Sequence, residues 1–330
     1  MNLGQEQKWR TILDLFVQQK TTLTDINIAI MVNQLAKIES FDPSDGRFGA
    51  LLDFVVHTVE QQGFAWIGTR QLSDIVQSIA KLRFKGKKFK QLLHLICTEE
   101  NAESFIEDAQ PRNIAIMMWS FAKLHLKVPG FCQQVERNCI IAKFFADGVE
   151  PQSISLTAWA LGKLGLEAPK FFAKIEESST WFVANGRPQE IANTVWACAK
   201  LGFFPPNLLA QVEKVSSWLV ANGIPQNISN TIWSFAQLDQ KAPMLCRAID
   251  QQPTRLLNKN TIGADIGDTT WALSKMNLNA PMLLAKMQQE AEWVAAIGRP
   301  CVVRNVVRAL KKFGYKVPVA QRQPNHVRRR

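Results

Sequence analysis

Along residues 188–202 the apolar side chains Ile191, Val195 and Cys198 recur at spacings of four and three residues, with Glu190, Asn193 and Lys200 falling between them. At about 100° per residue this pattern places one apolar stripe and one polar stripe on a single helix. Pro188 suits the first helical turn, where its missing N–H costs nothing. Gly202, after Lys200 and Leu201, suits a C-terminal cap. A second proline, Pro206, opens a second helix that carries Trp218 and closes at Asn222-Gly223. No long alternating apolar–polar run appears, so no strand is predicted.

The same pattern returns along the chain. With each opening residue numbered 0, the copies start at 25, 69, 111, 151, 188, 225, 263 and 300. Position 8 is Trp119, Trp159, Trp196, Trp233 and Trp271 in the five clearest copies. Position 18, which played no part in setting this register, is proline in seven of eight copies: Pro43, Pro129, Pro169, Pro206, Pro243, Pro281 and Pro318, with Lys87 the exception. A fixed period in this range marks a helical array that buries a continuous seam. The expected fold is therefore all-α, an α-solenoid of about eight helix-turn-helix repeats of 37–44 residues. Residues 1–21 read as an N-terminal helical cap and 22–110 as two degenerate repeats. Residues 111–299 read as five well-defined repeats, 300–316 as a basic terminal repeat helix, and 317–330 as a basic, disordered tail.

On a helical wheel the first helix of each repeat turns positions 3, 7 and 10 inward and positions 2, 5, 9 and 12 outward. Position 12 is Lys37, Lys81, Lys123, Lys163, Lys200, Gln237, Lys275 and Lys312. Position 9 is small in seven of eight copies, among them Ser120, Ala160, Ala197 and Ser234. Positions 2 and 5 vary and are mostly hydrogen-bonding. A repeated cation, a small residue and two variable polar positions fit a reader of single-stranded RNA. The cations Lys81, Lys123, Lys163, Lys200, Lys275 and Lys312, with Arg304 and Arg308, are candidates for phosphates. Asn113, Ser153, Glu190, Asn193, Asn227, Asn230, Asp265, Asp268 and Asn305 are candidates for base edges. The small residue would let a base approach the backbone. Lysine in a last helical turn is also favoured by the helix dipole alone. The position 8 tryptophans fall at the border of this face, where they are expected to pack on the neighbouring first helix; base stacking is the alternative. Trp181, Trp218 and Trp293 are expected in the core of the second helices.

Charge changes this picture in one respect. The net charge is +11, yet Arg299 to Arg330 holds ten Lys or Arg and no Asp or Glu, which leaves residues 1–298 at about +1. The basic character belongs to the C-terminal end, where Lys311 and Arg328 to Arg330 add to the arginines already named. The six cysteines contain no Cys-x-x-Cys pair and the four histidines are scattered, so neither disulfides nor a metal site is expected. No apolar run approaches the length of a membrane span, and no hydrophobic signal region opens the chain. No phosphate loop, catalytic triad or metal cluster appears. The expectation is a binding protein, not an enzyme, with no cofactor, metal or membrane association.

The string Ile191-Ala192-Asn193-Thr194-Val195-Trp196-Ala197-Cys198-Ala199-Lys200-Leu201-Gly202, at its period of 37 to 40 residues, resembles the octotricopeptide repeat family. The resemblance covers residues 110–316 well and 22–109 loosely, and it lacks a C-terminal RAP-like region. It implies an α-solenoid that binds organellar RNA, in a chloroplast or mitochondrion, and governs RNA stability, processing or translation. The alternative from another class is a protein-interaction scaffold, as in similar repeats of bacterial effector type, with a protein partner instead of RNA. Without the resemblance the compartment would be cytoplasmic.

Overall fold

The computed structural model describes residues 3–63 and 66–316, without the side chains of Leu3 and Gln5. Pro318 and the basic tail expected at 317–330 lie outside the described residues. Twenty-two helices, and no strand, occupy the described residues. They fall into two units divided between Lys174 and Ile175.

In the first unit the helix Leu3–Gln19 precedes four first helices, Asp25–Leu35, Thr69–Lys81, Pro111–Leu124 and Pro151–Leu164, each packed on the one before. In the second unit the first helices are Pro188–Leu201, Pro225–Gln237, Gly263–Met276 and Pro300–Lys312, stacked in the same sequential way. The remaining helices form a second layer. Each unit is therefore a solenoid in which a repeat touches its neighbours in sequence.

The second helix of a repeat differs from the expected single rod. It is broken in two in repeats two to seven, for example into Pro206–Lys214 and Ser216–Asn222. At the break Val215 has φ −96° and ψ 10°, and the buried Ser216 hydroxyl donates to the Val212 carbonyl at 3.2 Å. Seven-residue helices are not stable alone; burial of Leu219 and Val220 holds this one in place. Trp181 and Trp218, expected in the core, instead lie on its exposed side.

Sequence signals fix the helix ends. Pro111, Pro151, Pro188, Pro225 and Pro300 all open first helices. Position 14 reverses the chain with a positive φ in seven repeats: Arg83, His125, Gly165, Gly202, Asp239, Asn277 and Gly314. Glycine takes that conformation without steric cost, so Gly202 at φ 71° is the preferred solution.

A carboxylate at position 25 ties successive repeats together. Glu136 accepts from the backbone N–H groups of Lys170 and Phe171, at 3.1 and 2.9 Å. Glu213 accepts from Met244 and Leu245, at 3.0 and 2.9 Å. Glu176 does the same for Asn207 and Leu208, and Asp250 for Leu283. In each case the carboxylate caps the N-terminus of the next repeat's second helix, whose first N–H groups have no intrahelical partner.

Candidate nucleic-acid interface

Within each unit the first helices lie side by side, and the exposed strip on each is set by what the neighbouring helices cover. Positions 4 and 11 are small in repeats one to seven, for example Ala192 and Ala199, or Ser229 and Ala236, and these four are buried. Small residues let successive first helices approach closely. The surface left open is made of positions 1, 5, 8 and 12, which succeed one another along one side of the helix.

This corrects the wheel drawn from sequence. Position 2 is not on the open face. Asn113, Ser153, Glu190, Asn227 and Asp265 are all buried, each at most 8% exposed. Glu190 accepts from the Arg187 backbone N–H at 2.8 Å, Asn227 from that of Ile224 at 3.1 Å, and Asp265 from that of Ile262 at 3.1 Å. These side chains cap the N-terminus of their own helix. Asp265 also accepts from the Ser229 hydroxyl of the preceding repeat at 3.1 Å, and burial raises its pKa despite these bonds. Position 9 is closed as well: Ser78, Ser120, Ala160, Ala197, Ser234, Ala272 and Ala309 are fully buried, so no base reaches the backbone there. Asn33 at position 8 of repeat one donates to Ser78 at position 9 of repeat two, which shows how these positions meet between neighbours.

The other candidates, except Arg304 at position 4, sit on the open strip. Lys81, Lys123, Lys163, Lys200, Lys275 and Lys312 are all exposed, as are Arg304 and Arg308. Asn193, Asn230, Asp268 and Asn305 at position 5 are half-buried, with Trp196, Trp233, Trp271 and, in the last repeat, Arg308 one turn further on. Asn305 donates to the Gly267 carbonyl at 3.2 Å. In the first unit position 5 is apolar in Ile30, Ile116 and Leu156 and polar only in Asp74, whereas all four position 5 residues of the second unit are polar.

The tryptophans pack between neighbouring first helices, as the sequence led one to expect, and also keep part of each ring open. Trp119, Trp159, Trp196, Trp233 and Trp271 are half-exposed, packing on neighbours with one part of the ring and facing solvent with another. Trp233 and Trp271 lie 6.4 Å apart between centroids, with planes tilted by 33°. The position 12 lysines lean over these rings: Lys123 lies 5.8 Å from Trp119, Lys275 5.4 Å from Trp271, and Lys200 6.0 Å from both Trp196 and Trp233. The four-residue spacing from position 8 to position 12 was the available signal. Lys275 is also paired with Asp239 at 2.8 Å, and Lys312 donates to the Ser274 carbonyl at 2.6 Å.

Residues 27–316 match the family described as RNA-editing substrate-binding complex 6 protein. The chain belongs to this family. The match reaches from within the first of the eight first helices to beyond the last, and includes the two degenerate repeats. No curated protein matches the chain.

Other chemistry is sparse. All six cysteines are free, and burial pushes the thiols of Cys97 and Cys132 up to about 12, so both stay protonated. Among the described residues no three His, Cys, Asp or Glu gather as a metal group, and no helix is long and apolar enough to cross a membrane.

Proposed function

We propose that the chain binds single-stranded RNA, sequence-selectively and without catalysis, on the open strip of its first helices. The observation that carries this reading is the set at positions 5, 8 and 12, complete in repeats five and seven of the second unit. Successive turns of one helix present a hydrogen-bonding side chain, a half-exposed indole and an exposed cation, as in Asn193, Trp196 and Lys200. Stacking a base on an aromatic ring is worth roughly 1–3 kcal/mol, lysines meet the phosphates, and position 5 meets base edges. With position 2 buried, the base-reading set is Asn193, Asn230, Asp268 and Asn305, joined by Gln189 and Gln226 at position 1. Membership of a family named for binding RNA-editing substrates supports RNA as the ligand, and a part in RNA processing. Arg304, Arg308 and Lys311 extend the cationic surface past the last tryptophan.

Fluorescence anisotropy with a randomised single-stranded RNA pool, from low to high salt, tests this on the full chain. Binding that weakens in Lys163→Ala and Lys200→Ala, and persists when Arg328 to Arg330 are replaced by alanine, is the expected result. Binding that depends only on those three arginines would sink the proposal.

A second reading, a protein partner, is favoured at the other end of the chain. Leu15, Val17, Ile26 and Ile30 are exposed there, beside a groove of about 400 Å³ lined by Ile12, Leu23 and Met31. Apolar surface of this kind marks protein contacts, and the family's name is that of a complex.

A further inference from the structure

Among the four position 5 residues of the second unit, Asp268 differs from the rest. Asn193, Asn230 and Asn305 carry amides, which both donate and accept. Asp268 carries an acid, which accepts only when ionised. The other carboxylates of these first helices are satisfied: Glu190 by the Arg187 N–H, and Asp265 by Ile262 N–H and the Ser229 hydroxyl. The side chain of Asp268 is half-buried and, among the described residues, takes part in no hydrogen bond or ion pair. Burial raises its pKa, and the nearby charge of Asp265 adds to this. A partly desolvated acceptor with no donor in the protein carries a cost, and its oxygens stay open to a ligand. It lies one turn before Trp271 on the open strip, and two turns before Lys275.

We propose that Asp268 is a specificity-determining residue that selects guanine in the RNA bound by the second unit, a proposal that rests on the RNA reading above. A carboxylate has two acceptor oxygens side by side and fits an edge with two adjacent donors. Guanine offers such an edge through its ring N1–H and its exocyclic amine. Cytosine and adenine each place a ring acceptor beside their amine, which repels one carboxylate oxygen. Uracil flanks its single N–H with two carbonyls. In repeat seven the base would stack on Trp271 and turn its Watson–Crick edge toward Asp268. The asparagines of repeats five, six and eight impose no such rule, because an amide can meet either kind of edge.

Selection of a randomised single-stranded RNA pool on the full chain, followed by sequencing, tests this. Wild-type protein should enrich one motif position for guanine. Asp268→Asn should lower that preference by about 5- to 150-fold, the range for one bidentate base contact, with the other positions unchanged. Asn230→Asp should install a new guanine preference one repeat earlier in the array. Both changes are close in shape to the native side chain, and thermal melting checks that each variant folds. If wild-type protein binds RNA with no guanine position, or if neither variant moves it, Asp268 does not read the base. If wild-type protein binds no RNA at all, the underlying RNA reading falls, and this proposal with it.

Discussion

Lys200, in the last turn of one first helix, holds its ammonium 6.0 Å from the ring of Trp233 in the next repeat, the same distance as from its own Trp196. The lysine thus lies along a seam between two repeats and not at an isolated helix end. A cation near an indole face gains roughly 0.5–1 kcal/mol at an exposed site, which steadies a long side chain without neutralising it. The charge stays available to an anion that passes along the tryptophans. Lys200→Ala should therefore weaken binding of every RNA sequence alike. It should also reduce the slope of log affinity against log salt by about 0.7, the value for one phosphate contact on a single strand. Anisotropy titrations at four or five salt concentrations measure that slope, and an unchanged slope would remove Lys200 from the phosphate set.

The position 25 carboxylates make a prediction about stability alone. Glu213 caps the helix of the following repeat through two backbone N–H groups. Its removal leaves those donors to water and lets the interface between repeats loosen. Glu213→Ala should cost about 0.5–2 kcal/mol, as capping substitutions do, while Glu213→Gln, which keeps one acceptor, should cost less. Urea denaturation of the two variants gives the comparison. Equal losses would mean that the carboxylate acts by packing and not by accepting.

Much of this architecture was open to the sequence, and the parts that were not share a cause. The opening prolines and the position 8 tryptophans set the register, because they answer to local backbone and packing rules within one repeat. The direction of the open face depends on how neighbouring first helices lean on each other, which no single helix reveals. That is why Glu190 and Asp265 looked exposed on a wheel and are buried caps, while Trp196 and Trp233, read as border packing, both pack there and form part of the open strip. The caps escaped notice because the residues that precede them, Arg187 and Ile262, are not the Ser or Thr of a usual capping box. The row Glu136, Glu176, Glu213 and Asp250 was readable once the register was known. Its partners, being backbone N–H groups, leave no mark in sequence.

Close approach of the first helices depends on the small residues at positions 4 and 11. Ala236 is fully buried, and Gly267 leaves only 3.1 Å between an added Cβ and Val302 of the following repeat. In repeat eight the corresponding residues are Arg304 and Lys311, both exposed. A first helix could not stack on these with the same close approach, because this face carries charge where the other repeats carry small side chains. Ala236→Leu should overpack the seam and cost about 1–3 kcal/mol. Lys311→Ala should change stability by less than about 0.5 kcal/mol. Urea midpoints for the two variants test this, and a neutral Ala236→Leu would show that the seam has room to spare.

Asp268 links the proposed reading of bases to stability through its ionisation. Burial, with the charge of Asp265 on the same helix, raises its pKa in the folded chain above the ordinary 3.8. Between that ordinary value and the raised one, the folded state binds more protons than the unfolded state. Stability must then fall as pH rises through this window, and the loss is complete once pH exceeds the folded pKa. Below the ordinary value both states are protonated and the carboxyl costs nothing extra. Asp268→Asn removes the ionisable group with little change of shape. The variant should melt higher than wild type at pH 7, and the gap should close as pH drops below about 3.8. Asp265 titrates in the same direction, so wild-type stability will keep some of this slope after the substitution. Thermal melts of both proteins across that range decide the matter. A variant that is less stable at neutral pH would mean that Asp268 holds a partner in the free protein, and an acid already engaged would not be waiting for a base. A gain at neutral pH, joined to a lost guanine preference, would identify a residue whose cost to the fold is offset only when RNA is bound.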